Sequence, residues 1–422
     1  MSSPVVKTVA LPADAAGAPS LSLHVLAKNA ESVLSRLLHN VEPYVQQVRV
    51  VLNDTTDVSE QVIDRFVGHP LPGRPALKLD VQHVTSESHP QYYFEDAPAS
   101  YEVGLPLSDE RFEGPYTEAP LLTDWAAVRN LGWASDCDWR LFLDADDLVK
   151  DPECLPGLLC VLRDLNADLA ASRYVFGQSP GGQPNSVAYR ERLARNVPNI
   201  RWEGRTHEIL AGGLRRVLLE DRLHVTDMKD NWGRGVRVPG RCFKVLYRDA
   251  RLANWKVSSR HLAYLVQESP GMMPLAWVTG DLCDYYMEHA EQPEEQAWLL
   301  CMIGEMWESR LCYDRAAILY QRALNFHPSA KAAFRWCRAE FLRKNWELCL
   351  QAYELGLSHE SAPQIMDAGP VYADSSKLFV AQAYWELGRK NDARDMAREC
   401  ARLFPASGAV ADLVESICGS AT

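Results

Sequence analysis

Between residues 21 and 66 the apolar positions change period repeatedly. Residues 21–29 read Leu-Ser-Leu-His-Val-Leu-Ala-Lys-Asn, an apolar strand stopping on polar residues. Val33, Leu34, Leu37, Leu38 and Val41 then recur at i, i+3/i+4 spacing, one face of an amphipathic helix. Residues 48–52 make a second strand, ending in Asn53-Asp54-Thr55-Thr56-Asp57. There Thr56 or Asp57 can cap a helix over 58–66. Strand, helix, strand, helix predicts a parallel sheet with right-handed crossovers. Ligands of such sheets gather at the carboxyl ends of the strands, which is where Asn29 and Asp54 fall.

A third apolar run, Trp139-Arg-Leu-Phe-Leu, breaks off into Asp144-Ala-Asp146-Asp147. Extended backbone alternates its faces, so Asp144 and Asp146 are expected to point the same way. Two carboxylates held together repel unless a cation lies between them. Mg²⁺ and Mn²⁺ are oxygen-seeking ions, usually held by one or two carboxylates plus substrate phosphates. The competing reading is a solvated acidic turn after a core strand. An EF-hand is a poor fit, because Leu148 sits at a ligand position and Val149 replaces the required Gly.

From about residue 238 strand patterns stop and helical patterns run to the end. Residues 298–328 carry Ile303-Gly304, Trp307, Ala316, Tyr320, Ala323 and Pro328, the small and aromatic spacing of a tetratricopeptide repeat. Tyr353 repeats Tyr320 after 33 residues, and a third unit carries Ala381, Tyr384, Gly388, Ala393 and Pro405. Residues 358–373 interrupt the array, and helices over 240–290 are expected to bridge the two halves. The expected division is a flexible arm over 1–19, an α/β domain over 20–235 and an α-helical repeat domain over 236–422. Repeat helices must stack to bury their apolar faces. This half is read either as a stabilising or homodimer-forming element, or as a concave surface for a protein or peptide.

Composition narrows the class. No run of 18 apolar residues is present, so no membrane span is expected. Eleven scattered Cys without a C-x-x-C pair, and no apolar stretch in the first 20 residues, point to a cytoplasmic protein with reduced thiols. A net charge of −12 disfavours nucleic acid as a partner. Residues 189–251 run the other way, with thirteen Arg and two Lys against eight acids. That basic segment suits an anionic diphosphate.

Residues 20–225 resemble the family-2 glycosyltransferases of GT-A fold, and most of all the subgroup with tetratricopeptide repeats behind the catalytic domain. The resemblance lies in Leu26-Ala-Lys28-Asn29-Ala-Glu31, the acidic turn Asn53 to Asp57, Asp124-Trp-Ala-Ala-Val-Arg129-Asn130, Asp138-Trp139 through Asp147, and Arg201-Trp-Glu-Gly-Arg205-Thr-His207-Glu208. The acidic turn is one residue short and lacks its Gly, so either Asp54 or Asp57 stands for the nucleotide-contacting acid. Residues 85–122 are longer than the family's link, and a loop of that length is read as a lid, an acceptor loop or a solvated insertion.

The resemblance implies a metal-dependent inverting transfer of a hexosyl or N-acetylhexosaminyl group. The donor would be a nucleoside-diphosphate sugar, a UDP-sugar by preference, and the acceptor a protein or peptide. Lys28, Asn29, Asp54, Asp57, Arg129, Asn130, Asp144 and Arg205 are the candidate nucleotide-sugar contacts. Asp144 and Asp146 are the candidate ligands of Mn²⁺ or Mg²⁺, with His207 and His224 completing the shell. Glu208 is the candidate general base, Glu203 its reserve, and Arg129 and Asp146 act on the leaving diphosphate. The alternative is a repeat scaffold with a degenerate transferase domain. A nucleotidyltransferase would carry a Gly-rich loop after its first strand, where Lys28-Asn29 stands instead.

Overall fold

The computed structural model describes residues 5–6, 17–67, 77–94, 121–122, 124–176, 187–212, 214, 217–228, 241–269, 283–289, 293–359, 371–405 and 407–419. It divides into two compact units, one of residues 1–183 and 189–245, the other of 184–188 and 246–422.

The first unit is built on a mixed sheet. Val5–Val6 (β1) adds to one edge, so part of the segment expected to be a flexible arm is a strand; the rest of 1–16 lies outside the described residues. Leu21–Ala27 (β2) leads into Leu34–Val41 (α1), Gln47–Asn53 (β3), Ser59–Val67 (α2) and Lys78–Val84 (β4). Tyr93–Phe94 (β5) pairs antiparallel with Leu121–Leu122 (β6). The intervening 95–120, the bulk of the expected lid, lies outside the described residues. Trp125–Leu131 (α3), Trp139–Asp144 (β7), Asp147–Val149 (β8) and Leu155–Asp164 (α4) follow. Leu169–Phe176 (β9), Val187–Arg195 (β10), Arg201–Glu203 (β11), Ile209–Ala211 (β12) and Val217–Asp227 (β13) complete the unit.

The strand order is β1-β13-β9-β10-β7-β2-β3-β4, with β8 pairing β13 and β11–β12 forming a separate hairpin. β4, β3, β2 and β7 are mutually parallel and β10 runs antiparallel to β7. The chain works outward from β2 to β4 and then returns to lay β7 on the other side of β2. The boundary between β2 and β7 is therefore a topological switch point, where the connections diverge and leave a crevice at the strands' carboxyl ends.

Alternation sorts the faces of the sheet. Leu21, Leu23 and Val25 of β2 and Trp139, Leu141 and Leu143 of β7 are buried in the layer containing α1 and α4. Phe142, Leu26 and Val51 belong to the opposite layer, with Val128 of α3 and Trp202 of β11. Each fully buried Leu or Phe is worth roughly 1.5–3 kcal/mol. Asp144 shares the parity of Phe142 and so ends β7 on the α3 side.

From residue 246 on, the second unit is helical among the described residues. Arg241–Leu252 (α5) begins in the first unit's segment, and Ser259–Gln267 (α6) and Cys283–His289 (α7) follow. Then come Pro293–Glu308 (α8), Tyr313–Phe326 (α9), Ala330–Leu342 (α10), Trp346–His359 (α11), Val371–Glu386 (α12), Lys390–Leu403 (α13) and Gly408–Cys418 (α14). These are helical hairpins resembling tetratricopeptide repeats. Gly304 on α8 admits the Tyr320 ring of α9, and Gly356 on α11 admits the Phe334 ring of α10. Ala316, Ala323, Ala332 and Ala339 are wholly buried small residues that let the helices approach. Residues 360–370, within the predicted interruption of the array, lie outside the described residues. Among the described residues no helix is long and apolar enough to cross a membrane.

Candidate functional site

The extended run that was to align Asp144 with Asp146 ends at Asp144. Ala145 and Asp146 form a turn, and Asp147 starts β8, which pairs with β13 through Asp147 and Asp227. The alternation argument therefore does not apply, because the chain reverses to reach β13. The turn is braced from several sides. Asp147 Oδ2 accepts the Asp144 backbone N–H at 2.9 Å. Tyr174 Oη donates to Asp147 Oδ1 at 2.7 Å. Asn40 of α1 bonds both the N–H and the carbonyl of Val149. The Asp146 carbonyl accepts from Arg36 at 3.4 Å and from the Met228 N–H at 3.3 Å.

Two arginines converge on Asp144. Arg129 Nη2 lies 3.2 Å from Oδ1 and Arg192 Nη2 lies 3.2 Å from Oδ2. Arg192 also reaches Asp147 Oδ2 at 3.4 Å. Arg129 additionally pairs with Glu208 Oε1 at 2.7 Å. Both guanidiniums are seated on rings, Arg129 on Phe142 and Trp202 at 4.1 and 4.8 Å, Arg192 on Tyr174 and Phe142 at 4.5 and 5.2 Å. Desolvated cation–π contacts of this kind are worth up to about 2 kcal/mol. Burial, reinforced by the Asp144 charge, pushes the Asp147 carboxyl up to about 7 against the opposing pull of Arg192 and Tyr174. Burial alone would discourage the Arg192 charge, but Asp147 and Asp144 outweigh it and raise its value.

Glu208 reaches the cluster through the β11–β12 hairpin. Gly204 and His207 take positive φ in its loop, at 92° and 51°, and the Arg205 carbonyl accepts the Trp125 N–H. His207 thus serves a tight turn. Arg205 lies 3.7 Å from Asp124, the residue that caps α3. His224 stands on β13, and its carbonyl accepts the Lys150 N–H just beyond the acidic turn. Asn130 uses both ends of its amide on the Trp202 backbone, donating to the carbonyl at 2.8 Å and accepting from the N–H at 2.9 Å. It ties α3 to β11 and thereby places Arg129.

At the ends of β2 and β3, Asn29 and Asp54 adopt positive φ, 48° and 41°, a conformation Asn and Asp tolerate better than most residues. Asn29 Oδ1 accepts the Thr56 N–H at 2.8 Å, joining the two loops. Asp57 is spent on structure. It accepts from Ser59 N–H and Oγ and from the Glu31 N–H. Burial works against its charge, yet these bonds hold its carboxyl below the usual range. Asp54 Oδ1 accepts the Ser86 N–H, while its buried Oδ2 has no partner among the described residues. Of the two acids in this turn, Asp54 is the one with an oxygen left outside these hydrogen bonds, and that oxygen is buried, with Tyr93 interacting with the carboxyl. Lys28 is exposed at the end of β2.

Among the described residues Asp144 and Asp146 join no ready-made cluster of three potential metal ligands. Their donors are nonetheless hard carboxylate oxygens, Asp144 at the end of a parallel strand and Asp146 in the turn beyond it. That suits a Mg²⁺- or Mn²⁺-type ion sharing its shell with substrate phosphates rather than one caged wholly by protein.

Arg192, Tyr174, Arg36 and Asn40 were not singled out in the sequence. The one signal for Arg192 was its place in the basic segment 189–251.

No protein-family model matches the chain, and no curated protein does. Solved structures that it resembles include the second TPR domain of human RPAP3 in complex with an HSP70 peptide, at 16% identity and TM-score 0.26, covering 30% of this chain and 98% of that one. A MamA fragment from Desulfovibrio magneticus RS-1 is 14% identical with TM-score 0.31, covering 38% and 82%. Pseudomonas aeruginosa pilF is 13% identical with TM-score 0.33, covering 42% and 73%. At such scores a likeness says nothing of chemistry, and the repeat character of the helices rests on their own packing.

Proposed function

We propose that the sheet unit is a GT-A-type glycosyltransferase using a nucleoside-diphosphate sugar, a UDP-sugar by preference. The helical unit would bind the protein or peptide that receives the sugar. The observation that carries this reading is the convergence of Asp144, Arg129 and Glu208 beside the β2–β7 switch point, with Asp54 and Lys28 along the same strand ends.

In this reading Asp54 and Lys28 bind the nucleoside, while Asn29 and Asn130 hold loops in place. Asp144 and Asp146 would hold the divalent cation. That ion, when bound, would act as a Lewis acid on the diphosphate oxygens. Arg129 adds fixed positive charge where the leaving diphosphate gains negative charge, in a site already lined by Phe142 and Trp202. Glu208, positioned by Arg129, takes the acceptor proton as the new bond forms.

A second reading is a protein-interaction scaffold whose sheet unit has lost catalysis. It is favoured by the repeat-like hairpins and by the arginines already on both Asp144 oxygens. The deciding experiment incubates the full chain with Mn²⁺ and a panel of nucleoside-diphosphate sugars and follows nucleoside diphosphate release. Release from one donor supports the transferase. Release from none leaves the scaffold.

A further inference from the structure

Arg192 is the least expected member of the cluster. Its side chain is 7% exposed and sits between Asp144 and Asp147, whose own side chain is fully buried. A guanidinium between two carboxylates occupies, electrostatically, the role a divalent cation would otherwise fill. We infer that Arg192 is a built-in counter-ion that suppresses divalent-metal binding until a nucleoside diphosphate is present. This rests on the transferase reading of the same site.

The argument is one of charge. Asp144, Asp146, Asp147 and Glu208 supply four carboxylates, while Arg129 and Arg192 supply two fixed guanidiniums in direct contact with Asp144, Asp147 and Glu208. Asp144 therefore meets an incoming cation with both oxygens already paired to positive groups. A divalent ion arriving alone meets repulsion from guanidiniums that Phe142, Trp202 and Tyr174 hold in place. A diphosphate arriving with the ion brings negative charge that both arginines attract, and it supplies the remaining oxygen ligands. Metal and nucleotide should then bind with strong mutual dependence, and by linkage each strengthens the other by the same factor. Arg192 acts through Asp144 and Asp147, and is a positioning residue.

The consequence runs against intuition for a neutralising substitution. Arg192→Gln should bind Mn²⁺ alone roughly tenfold or more tightly than the unaltered chain, since one positive charge near the site is removed. It should also weaken the dependence of Mn²⁺ binding on nucleotide. Arg192→Lys keeps the charge and should resemble the unaltered chain.

The test is Mn²⁺ titration of the full chain, read by electron paramagnetic resonance of free Mn²⁺, with and without UDP. Tighter binding to Arg192→Gln than to the unaltered chain or Arg192→Lys, without UDP, supports the inference. Equal or weaker binding overturns it, provided the unaltered chain binds Mn²⁺ with UDP or another nucleoside diphosphate. Failure of the unaltered chain to bind Mn²⁺ with UDP or with any other nucleoside diphosphate overturns the transferase reading itself, and this inference with it. Should Arg192→Gln not fold because Asp147 is left unpaired, Arg192→Gln/Asp147→Asn is compared with Asp147→Asn. The same ordering is expected, and no difference between those two overturns the inference.

Discussion

Arg129 grips Glu208 at 2.7 Å and, with the same nitrogen, reaches Asp144 at 3.2 Å. One guanidinium thus joins Asp144 at the end of β7 to Glu208 of the β11–β12 loop, far apart in sequence. The proposed base and the proposed diphosphate site are held in register by a single side chain.

Glu208→Gln should separate binding from chemistry. The amide still accepts from Arg129, so UDP binding in the presence of Mn²⁺ should be nearly unchanged by calorimetry. Transfer should fall by roughly 10²–10⁴-fold, the usual contribution of a general base. Retained transfer removes Glu208 from that role.

Asn130→Ala removes both bonds to the Trp202 backbone and leaves a buried N–H and carbonyl without their partner. The expected cost is about 1–3 kcal/mol in chemical denaturation of the sheet unit. Arg129 should lose its placement, so nucleotide binding should weaken in parallel. A variant as stable as the parent contradicts the bridging role of this amide.

How much of this could be read beforehand differs by element. The strands β2, β3 and β7 and the helix α1 show in their periodicity because each buries one face or both, and burial writes itself into the order of apolar residues. The Gly304–Tyr320 packing was legible because the repeat spacing demands a small residue opposite a ring. Arg192 was not legible: it alternates with Leu193 as any half-exposed strand residue would, and only pairing with β7 brings it to Asp144. The role of Asp147 was not legible either, because its partner Tyr174 lies 27 residues on. A turn at Ala145–Asp146 was the competing reading; the reversal that carries Asp147 to β13 was not legible, because it has no local marker.

His24 gives the protein a pH dependence that can be isolated. It is buried on β2, with Nδ1 2.6 Å from the Gly132 carbonyl and Nε2 2.8 Å from Ser22 Oγ. Burial first, and then Arg140 and Arg49, lower its value from 6.5 to about 3 despite the opposing bond to Gly132. The unfolded chain therefore takes up this proton first. His24 should cost stability as pH falls below 6.5, at up to about 1.4 kcal/mol per pH unit until the folded state protonates near 3. His24→Asn should flatten that part of the stability–pH curve measured by urea denaturation. An unchanged slope contradicts a buried neutral imidazole.

Gly304→Ala should destabilise the helical unit, although Ala is the better helix former by roughly 1 kcal/mol. An added Cβ would stand 2.5 Å from the Tyr320 ring, and overpacking of this kind costs about 1–3 kcal/mol. Gly356→Ala, 2.5 Å from Phe334, should behave alike. Stabilisation in either variant contradicts the ring-on-glycine packing of the repeats.

The most direct test of the central claim, that the β2–β7 switch point binds a nucleoside diphosphate with a divalent cation, is thermal unfolding with UDP and Mn²⁺, singly and together. Asp146→Ala is run beside the unaltered chain, because Asp146 lies in the turn and its loss leaves the Arg129–Asp144–Arg192 pairing in place. The account predicts stabilisation by the pair at saturation, about 2.7 kcal/mol at a hundredfold excess over Kd, little from either alone, and none in Asp146→Ala. No stabilisation of the unaltered chain, or an equal response in Asp146→Ala, would contradict it.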